Sequence, residues 1–132
     1  MKADLKFLNN LPADASEAQL RDALSNLSGE VKARLQVGSS ASADFMTQAV
    51  EALRKIQGTE HADIRISCLL DASHYFYSIG QAFSAIDPAL VAVDLASRVD
   101  ERALRRKALT VLGIVYADTG NMSRAIATSR RR

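Results

Sequence analysis

Residues 109–125 read LTVLGIVYADTGNMSRA, and this stretch decides the predicted fold. It contains a Leu112-Gly113 pair, Tyr116 three residues after the glycine, a Gly120-Asn121 break and then Ala125. An apolar stripe at helical spacing runs through its first half, with members Leu104, Ala108, Val111, Leu112 and Val115. This pattern predicts an amphipathic helix that ends at Gly120-Asn121, followed by the start of another helix over residues 122–132.

Upstream, similar breaks recur at nearly constant spacing. Gly38, Gly80 and Gly120 lie 42 and 40 residues apart, and the breaks at Gly58 and Asp100 each fall twenty residues after the preceding glycine. Self-similarity at a fixed period predicts a helical repeat. The unit is a long helix, a turn, a shorter helix and a second turn.

Four further helices are predicted between residues 16 and 99. The first follows Ser16, a predicted N-cap, and the second ends near Gly58, which takes the place of a C-terminal left-handed glycine. The third ends at Gly80, and the fourth is predicted over residues 88–99, with Asp87 as its cap and Pro88 at its first position. The apolar stripes of the first three are Leu20, Leu24, Leu27, Val31 and Leu35; Met46, Ala49, Leu53 and Ile56; and Ile64, Cys68, Ala72, Tyr75 and Ile79.

Composition favours one all-α domain and argues against several functional classes. About half of the 132 residues are apolar and aromatic residues are sparse, which suits packed helices better than strands. A net charge of +2 predicts neither a nucleic-acid nor a membrane partner. The single Cys68 excludes an internal disulfide, and the absence of a long apolar N-terminal run predicts a cytoplasmic protein.

The stretch 109–125 resembles the tetratricopeptide repeat, whose signature contains a Leu-Gly pair, a Tyr after two further residues and a later Ala. The resemblance implies antiparallel helix pairs stacked into a right-handed superhelix, an α-α solenoid of about six helices. The chain is then one domain over residues 1–132, with a degenerate or capping pair at 16–58, a second unit at 61–100 and an incomplete unit at 101–132. The period near 40 exceeds the family's usual ~34 and implies lengthened helices.

The resemblance also assigns packing positions. Gly113 is expected to let the next helix approach closely, Tyr116 to fill space between units, Gly120 to take the turn and Ala125 to sit at a tight crossing. Pro88 departs from the pattern, because it falls within what the family makes a continuous second helix, and this leaves the register of residues 82–88 open. The full set of repeat-packing residues is Leu109, Leu112, Gly113, Tyr116, Gly120 and Ala125, with Ala72, Phe76, Gly80 and Ala85 one unit earlier.

No motif for catalysis, nucleotide binding or metal binding is found in the sequence. Cys68 lies on an apolar stripe and is interpreted as a small core residue. His61 is interpreted as an exposed helix start, and with His74 it lacks the neighbouring ligands of a metal site. The arginines at 105 and 106 are interpreted as the solvated face of a helix start. We therefore expect no enzyme activity, no cofactor and no metal.

The resemblance places a peptide-binding groove on the concave side of the superhelix. The implied groove residues are Leu70, His74, Tyr77 and Ser78 from one unit, and Lys107, Thr110, Ile114 and Asp118 from the next. The mixed, weakly charged character of this set suits a helix or an extended segment bound through contact area. The alternative is that these are solvated or partly buried helix residues with no ligand.

The sequence thus predicts a protein-protein interaction scaffold that binds a peptide or protein segment, with a possible homo-oligomer through the C-terminal helices. An alternative function is an N-terminal sensory, regulatory or dimerisation segment of a larger bacterial signalling protein. An enzyme hidden in a helical bundle is a third alternative, and it requires convergent polar residues in a pocket.

Overall fold

The computed structural model describes the backbone of residues 2–37 and 39–131 and the side chains of residues 5–37 and 39–120. Within these ranges the chain forms six α-helices and no strand, which confirms the predicted all-α class. The predicted break at Gly38 and the packing role of the Ala125 side chain lie outside the described residues. The helices are α1 Lys2–Asn9, α2 Glu17–Val37, α3 Ala43–Lys55, α4 Ala62–Ser78, α5 Ala82–Val99 and α6 Arg102–Arg131, with one 3-10 turn at Ser40–Ser42.

The first helix, α1, is absent from the sequence prediction. It packs against α2 and α3 and buries Leu5 and Leu8. The large apolar residues of α1, Leu5, Phe7 and Leu8, span only about one helical turn, which is too short to establish a helical period from the sequence. The tally of six helices therefore agrees with the prediction although the helices themselves differ.

The next helix begins as predicted, because Ser16 caps α2. The Ser16 hydroxyl oxygen accepts a hydrogen bond from the Gln19 backbone N–H at 3.1 Å, and the Gln19 side-chain oxygen accepts one from the Ser16 N–H at 2.9 Å. This reciprocal arrangement is a capping box, which satisfies two backbone donors at the helix start. The predicted apolar stripe of α2 is buried from Leu20 to Val31, and Leu35 packs against the core at its edge.

The predicted stripe of α3 is also buried, but Gly58 does not cap this helix. The helix ends at Lys55, and Ile56 already has extended backbone angles. Gly58 has a φ of +79° and turns the loop that follows, three residues beyond the helix end. The predicted C-terminal role of Gly58 is therefore wrong, because the apolar side chain of Ile56 leaves the helix to enter the core.

A buried arginine holds that loop in place. The Arg65 guanidinium of α4 donates to the backbone carbonyls of Ile56 at 3.0 Å, Gly58 at 3.0 Å and Glu60 at 3.1 Å. The residue is 2% exposed, and burial lowers the pKa of Arg65 from its ordinary value, with a smaller contribution from the charge of Arg98. The carbonyl oxygens thus serve as partners for a desolvated charge.

The central helix, α4, ends at Gly80 as predicted. Gly80 has a φ of +81°, its N–H donates to the Tyr77 carbonyl at 3.1 Å, and the Gln81 N–H donates to the Phe76 carbonyl at 2.8 Å. These two bonds form a Schellman motif, which satisfies the last carbonyls of a helix and reverses the chain.

Helix α5 begins at Ala82, so the predicted start at Pro88 is wrong. The Schellman turn brings the chain directly into a new helix, with the Ser84 N–H bonded to the Gln81 carbonyl at 3.1 Å. Pro88 lies in the second turn of α5 and is buried, so tertiary packing outweighs the hydrogen bond that proline cannot make. Asp87, the predicted cap, instead forms an ion pair with Arg54 of α3.

Helix α6 continues through Gly120 to Arg131, so the predicted break at Gly120-Asn121 is wrong. Among the described glycines only Gly58 and Gly80 have a positive φ, and Gly120 adopts ordinary helical backbone. A glycine inside a helix costs only about 1 kcal/mol relative to alanine, which a helix of thirty residues tolerates. The last predicted unit is thus one long helix.

All six helices contribute residues to one hydrophobic core, and α4 lies at the centre of this core. Helix α4 packs against α2, α3, α5 and α6, and its Tyr75 is fully buried with the phenol O–H donating to the Ser39 carbonyl. Ser73, also fully buried, joins α4 to α5 through a hydrogen bond to the Ala85 carbonyl at 2.8 Å. No helix in the described part of the chain has both the length and the hydrophobicity to cross a membrane.

Candidate functional site

Most of the residues of α4 that reach solvent form a narrow polar strip, and Asp63 in the first turn of the helix is exposed as well. The strip consists of Ser67, Asp71, His74 and Ser78, which recur at steps of four, three and four residues. This spacing keeps the four side chains on one face of the helix. Helices α2 and α6 both contact α4, so the neighbours that pack on the central helix leave only this strip and its margins open.

Lys32 of α2 extends the strip across a helix boundary. Its ammonium group lies 2.8 Å from the Asp71 carboxylate and 3.5 Å from the Ser67 hydroxyl. The Lys32 side chain is about half exposed and the Asp71 side chain is 25% exposed, so the pair lies at the surface and contributes little to stability. Lys32 and Asp71 are not among the predicted site residues, although their separation of 39 residues, close to the predicted repeat period, is a signal that could have paired them.

The predicted groove residues of α4 divide into two groups. His74 and Ser78 are exposed and Tyr77 is half-buried, so these three reach the surface at or beside the polar strip. Leu70 is buried in the core, and its predicted role in a groove is wrong because neighbouring helices cover that face of α4. The Ser78 hydroxyl donates to the Tyr75 carbonyl at 2.8 Å, so its proton already has an acceptor within the helix.

The predicted groove residues of α6 lie on one flank of that helix. At 100° per residue, Lys107, Thr110 and Ile114 fall within an arc of about 60°. All three are exposed, whereas Asp118 is half-buried. Ile114 is 52% exposed and is the large apolar residue of this otherwise polar flank. The Thr110 hydroxyl donates to the Arg106 carbonyl at 2.9 Å.

The residues assigned to packing in the predicted second unit have the expected burial or turn position, while their role between repeat units stays a prediction. Ala72, Phe76 and Ala85 are buried, and Gly80 makes the turn between α4 and α5. This agreement extends to Leu112 of α6, which is buried.

The other packing residues of α6 do not have the predicted roles. Leu109 and Tyr116 are each 47% exposed, and a Cβ atom at Gly113 would meet no described heavy atom within 4 Å. Gly120 is exposed and helical. The predicted contacts fail because the segment expected to fold back over these residues is the continuation of α6.

The described residues contain neither an exposed thiol nor a cluster of metal-ligand side chains. No group of three His, Cys, Asp or Glu side chains in this part of the chain is arranged to hold a metal ion. Cys68 is buried, and burial raises the pKa of its thiol to about 12, so it is protonated at neutral pH. The His61 imidazole is largely buried with Nε2 3.9 Å from the Glu17 carboxylate, so the prediction of an exposed histidine is wrong.

Comparison of the chain with protein-family models, curated proteins and solved structures finds no match. The resemblance to the tetratricopeptide repeat therefore stays a prediction from the sequence.

Proposed function

We propose that this protein is a non-catalytic interaction module of the helical-repeat type, which binds a peptide or protein segment on the surface shared by α4 and α6. The order of helix packing from α4 onward supports the repeat arrangement. Consecutive helices α4, α5 and α6 pack in sequence, and α4 also packs against the alternate helices α2 and α6, whereas the predicted first pair, α2 and α3, packs mainly through α1 and α4. Stacked helix pairs have this pattern of near-neighbour contacts.

The observation that carries the proposal is the set of exposed side chains on two adjacent helices. His74 and Tyr77 on α4, and Lys107 and Ile114 on α6, reach solvent, and none of them forms an ion pair with a described residue. The exposed parts of these side chains are available to a ligand, although the half-buried Tyr77 also packs against the core. Ile114 is the apolar anchor of this set, and anchors surrounded by polar groups are typical of binding surfaces.

The character of the surface favours binding through contact area over binding of one strong charge. The polar strip already pairs Lys32 with Asp71, and Tyr77, His74 and Ile114 add mixed apolar and polar area. A helix or an extended segment with one apolar side chain toward Ile114 fits this composition.

The test is selection of a displayed library of random peptides of about 16 residues on the immobilised protein, followed by measurement of Kd for the enriched peptides. The variant is His74→Glu/Ile114→Glu, which changes only exposed positions. The matched control is Phe83→Glu, because Phe83 of α5 is 58% exposed and equally apolar. Circular dichroism verifies that each variant is folded.

We expect enriched peptides that bind the wild-type protein and the control alike and lose about tenfold or more in affinity for the double variant, as the loss of one buried apolar anchor implies. Failure to enrich any peptide, or equal binding to the double variant, would overturn the assignment of this surface.

A further inference from the structure

The charge of the chain is divided very unevenly along its length. Residues 102–132 contain eight of the seventeen Lys and Arg residues and one of the fifteen Asp and Glu residues, which gives this segment a formal charge of +7 and residues 1–101 a charge of −5. The net charge of +2 conceals this asymmetry. A surface region of one sign of charge attracts groups of the opposite sign.

Three arginines at the start of α6 form a concentrated part of this charge. Arg102, Arg105 and Arg106 are exposed, and none of them forms an ion pair with a residue in the described ranges. By contrast, Arg34 and Arg98 each lie within 3.3 Å of a carboxylate. The three arginines line an open cavity of about 640 Å³, together with Asp100, Leu109 and Thr110.

An apolar surface adjoins the arginines on the same flank of the helix. Leu109 and Tyr116 are separated by two turns, about 10 Å along the axis, and each is 47% exposed. The open space at Gly113 between them lets another backbone approach closely. At 100° per residue, the arginines, Leu109 and Tyr116 fall within an arc of about 100°, which we call the basic-apolar face. It is centred about 120° around α6 from the flank with Lys107 and Ile114.

We infer that the basic-apolar face binds an acidic amphipathic helix of another protein. Two exposed apolar residues at a spacing of seven match the contact row of a packed helix, and the arginines match glutamate or aspartate side chains at one end of it. If the partner runs parallel to α6, its acidic residues lie in its own first turns, where carboxylates also stabilise a helix.

The charges and the apolar residues together argue against two other occupants, a second copy of the chain docked through its own α6 and a nucleic acid. In a second copy of the chain, parallel packing of two α6 helices places arginine against arginine, and antiparallel packing places them against the basic segment 124–132. Both arrangements repel. A nucleic acid would use the arginines through its phosphates but would leave Leu109 without a partner.

The test is fluorescence anisotropy with a labelled synthetic helix of about 18 residues, which carries leucines on one face and four glutamates in its first two turns. A peptide with lysines in place of the glutamates and a single-stranded oligonucleotide of about 16 nucleotides are the comparison probes. The protein variants are Arg105→Ala/Arg106→Ala and Leu109→Glu, with Leu90→Glu as the matched control, because Leu90 of α5 is 42% exposed. All are measured at 50 and 500 mM NaCl and verified by circular dichroism.

We expect the acidic peptide to bind the wild-type protein and Leu90→Glu equally. The peptide would bury the exposed half of the Leu109 side chain. Loss of that apolar contact in Leu109→Glu should raise Kd roughly tenfold to thirtyfold. The arginine variant should bind severalfold more weakly at 50 mM NaCl and should lose most of the salt dependence.

Equal binding of the lysine peptide, preference for the oligonucleotide, or unchanged affinity of Leu109→Glu would overturn the inference. Self-association that Leu109→Glu abolishes would overturn it in favour of a second copy. Because the His74→Glu/Ile114→Glu variant keeps the basic-apolar face, it should bind the acidic peptide normally, so failure of this inference and failure of the proposed function are distinguishable.

Discussion

Replacement of Arg65 by methionine should destabilise the fold more than any substitution of a surface arginine. Arg65 is 2% exposed and its guanidinium donates to three carbonyls of the loop between α3 and α4. Methionine has a similar length but no donor. The substitution therefore removes all three bonds while it fills much of the same volume.

The size of the effect depends on which carbonyls regain water. Gly58 and Glu60 are exposed, so their carbonyl groups can hydrate after the substitution, whereas Ile56 is buried. A buried acceptor without a partner costs about 1–3 kcal/mol, and each exchange of a charged hydrogen bond for water adds less. Removal of a desolvated charge offsets part of this loss. We expect Arg65→Met to lower the free energy of unfolding by about 2–4 kcal/mol, a large share of the ~5–15 kcal/mol typical of domains.

Urea denaturation followed by circular dichroism at 222 nm measures this difference. The matched control is Arg54→Met, because Arg54 is exposed and its ion pair with Asp87 should contribute no more than about 1 kcal/mol. The Arg65→Lys variant should lie between wild type and methionine, since one ammonium cannot reach three carbonyls in a planar fork. If Arg65→Met and Arg54→Met lose the same stability, the reasoning that Arg65 holds the loop is refuted.

Three further predictions concern the free energy of unfolding. Gly80→Ala should lower the free energy of unfolding by about 1 kcal/mol, because a φ of +81° strains any residue with a side chain. Gly29→Ala, at an open position inside α2, should raise it by about 0.5–1 kcal/mol. Denaturation midpoints of the two variants that move in the same direction would contradict this. Ser16→Ala should cost about 1 kcal/mol by removing the capping box with Gln19, and a thermal melt that does not shift would show that the cap is dispensable. Burial raises the pKa of Cys68 to about 12, so the folded state binds the thiol proton more tightly than the unfolded state does. The resulting contribution to the free energy of unfolding is complete below the unfolded pKa near 9.0 and is lost as the pH rises toward 12. In urea titrations, the difference in the free energy of unfolding between wild type and Cys68→Ala should therefore narrow between pH 9 and 12.

Local sequence signals account for the helices whose limits were predicted well. The stripe from Leu20 to Val31 identifies the buried face of α2, and Ser16 with Gln19 fixes its first residue. At the end of α4, Gly80 gives the Schellman turn its left-handed residue. Each of these features acts over a few residues, which is why periodicity and capping chemistry are enough to predict them.

The candidate site was predicted only in part. The resemblance to the tetratricopeptide repeat implied surface positions for His74, Tyr77, Lys107 and Ile114, and these residues do reach the surface. It implied the same for Leu70, whose burial depends on which helices cover α4. The pairing of Lys32 with Asp71 joins two helices and has no local signal. Contacts of this kind depend on the relative placement of whole elements.

The sequence by itself determined that the chain is all-helical, where α2, α3 and α4 lie, and which of their faces are apolar. Only the tertiary structure decided that α5 passes through Pro88 and that α6 passes through Gly120. The physical reason is one of magnitude. Proline disfavours a helix by about 3 kcal/mol, and burial of one or two apolar side chains around the buried Pro88 is large enough to reverse that preference. The cost of about 1 kcal/mol at Gly120 is small enough for a helix of thirty residues to tolerate.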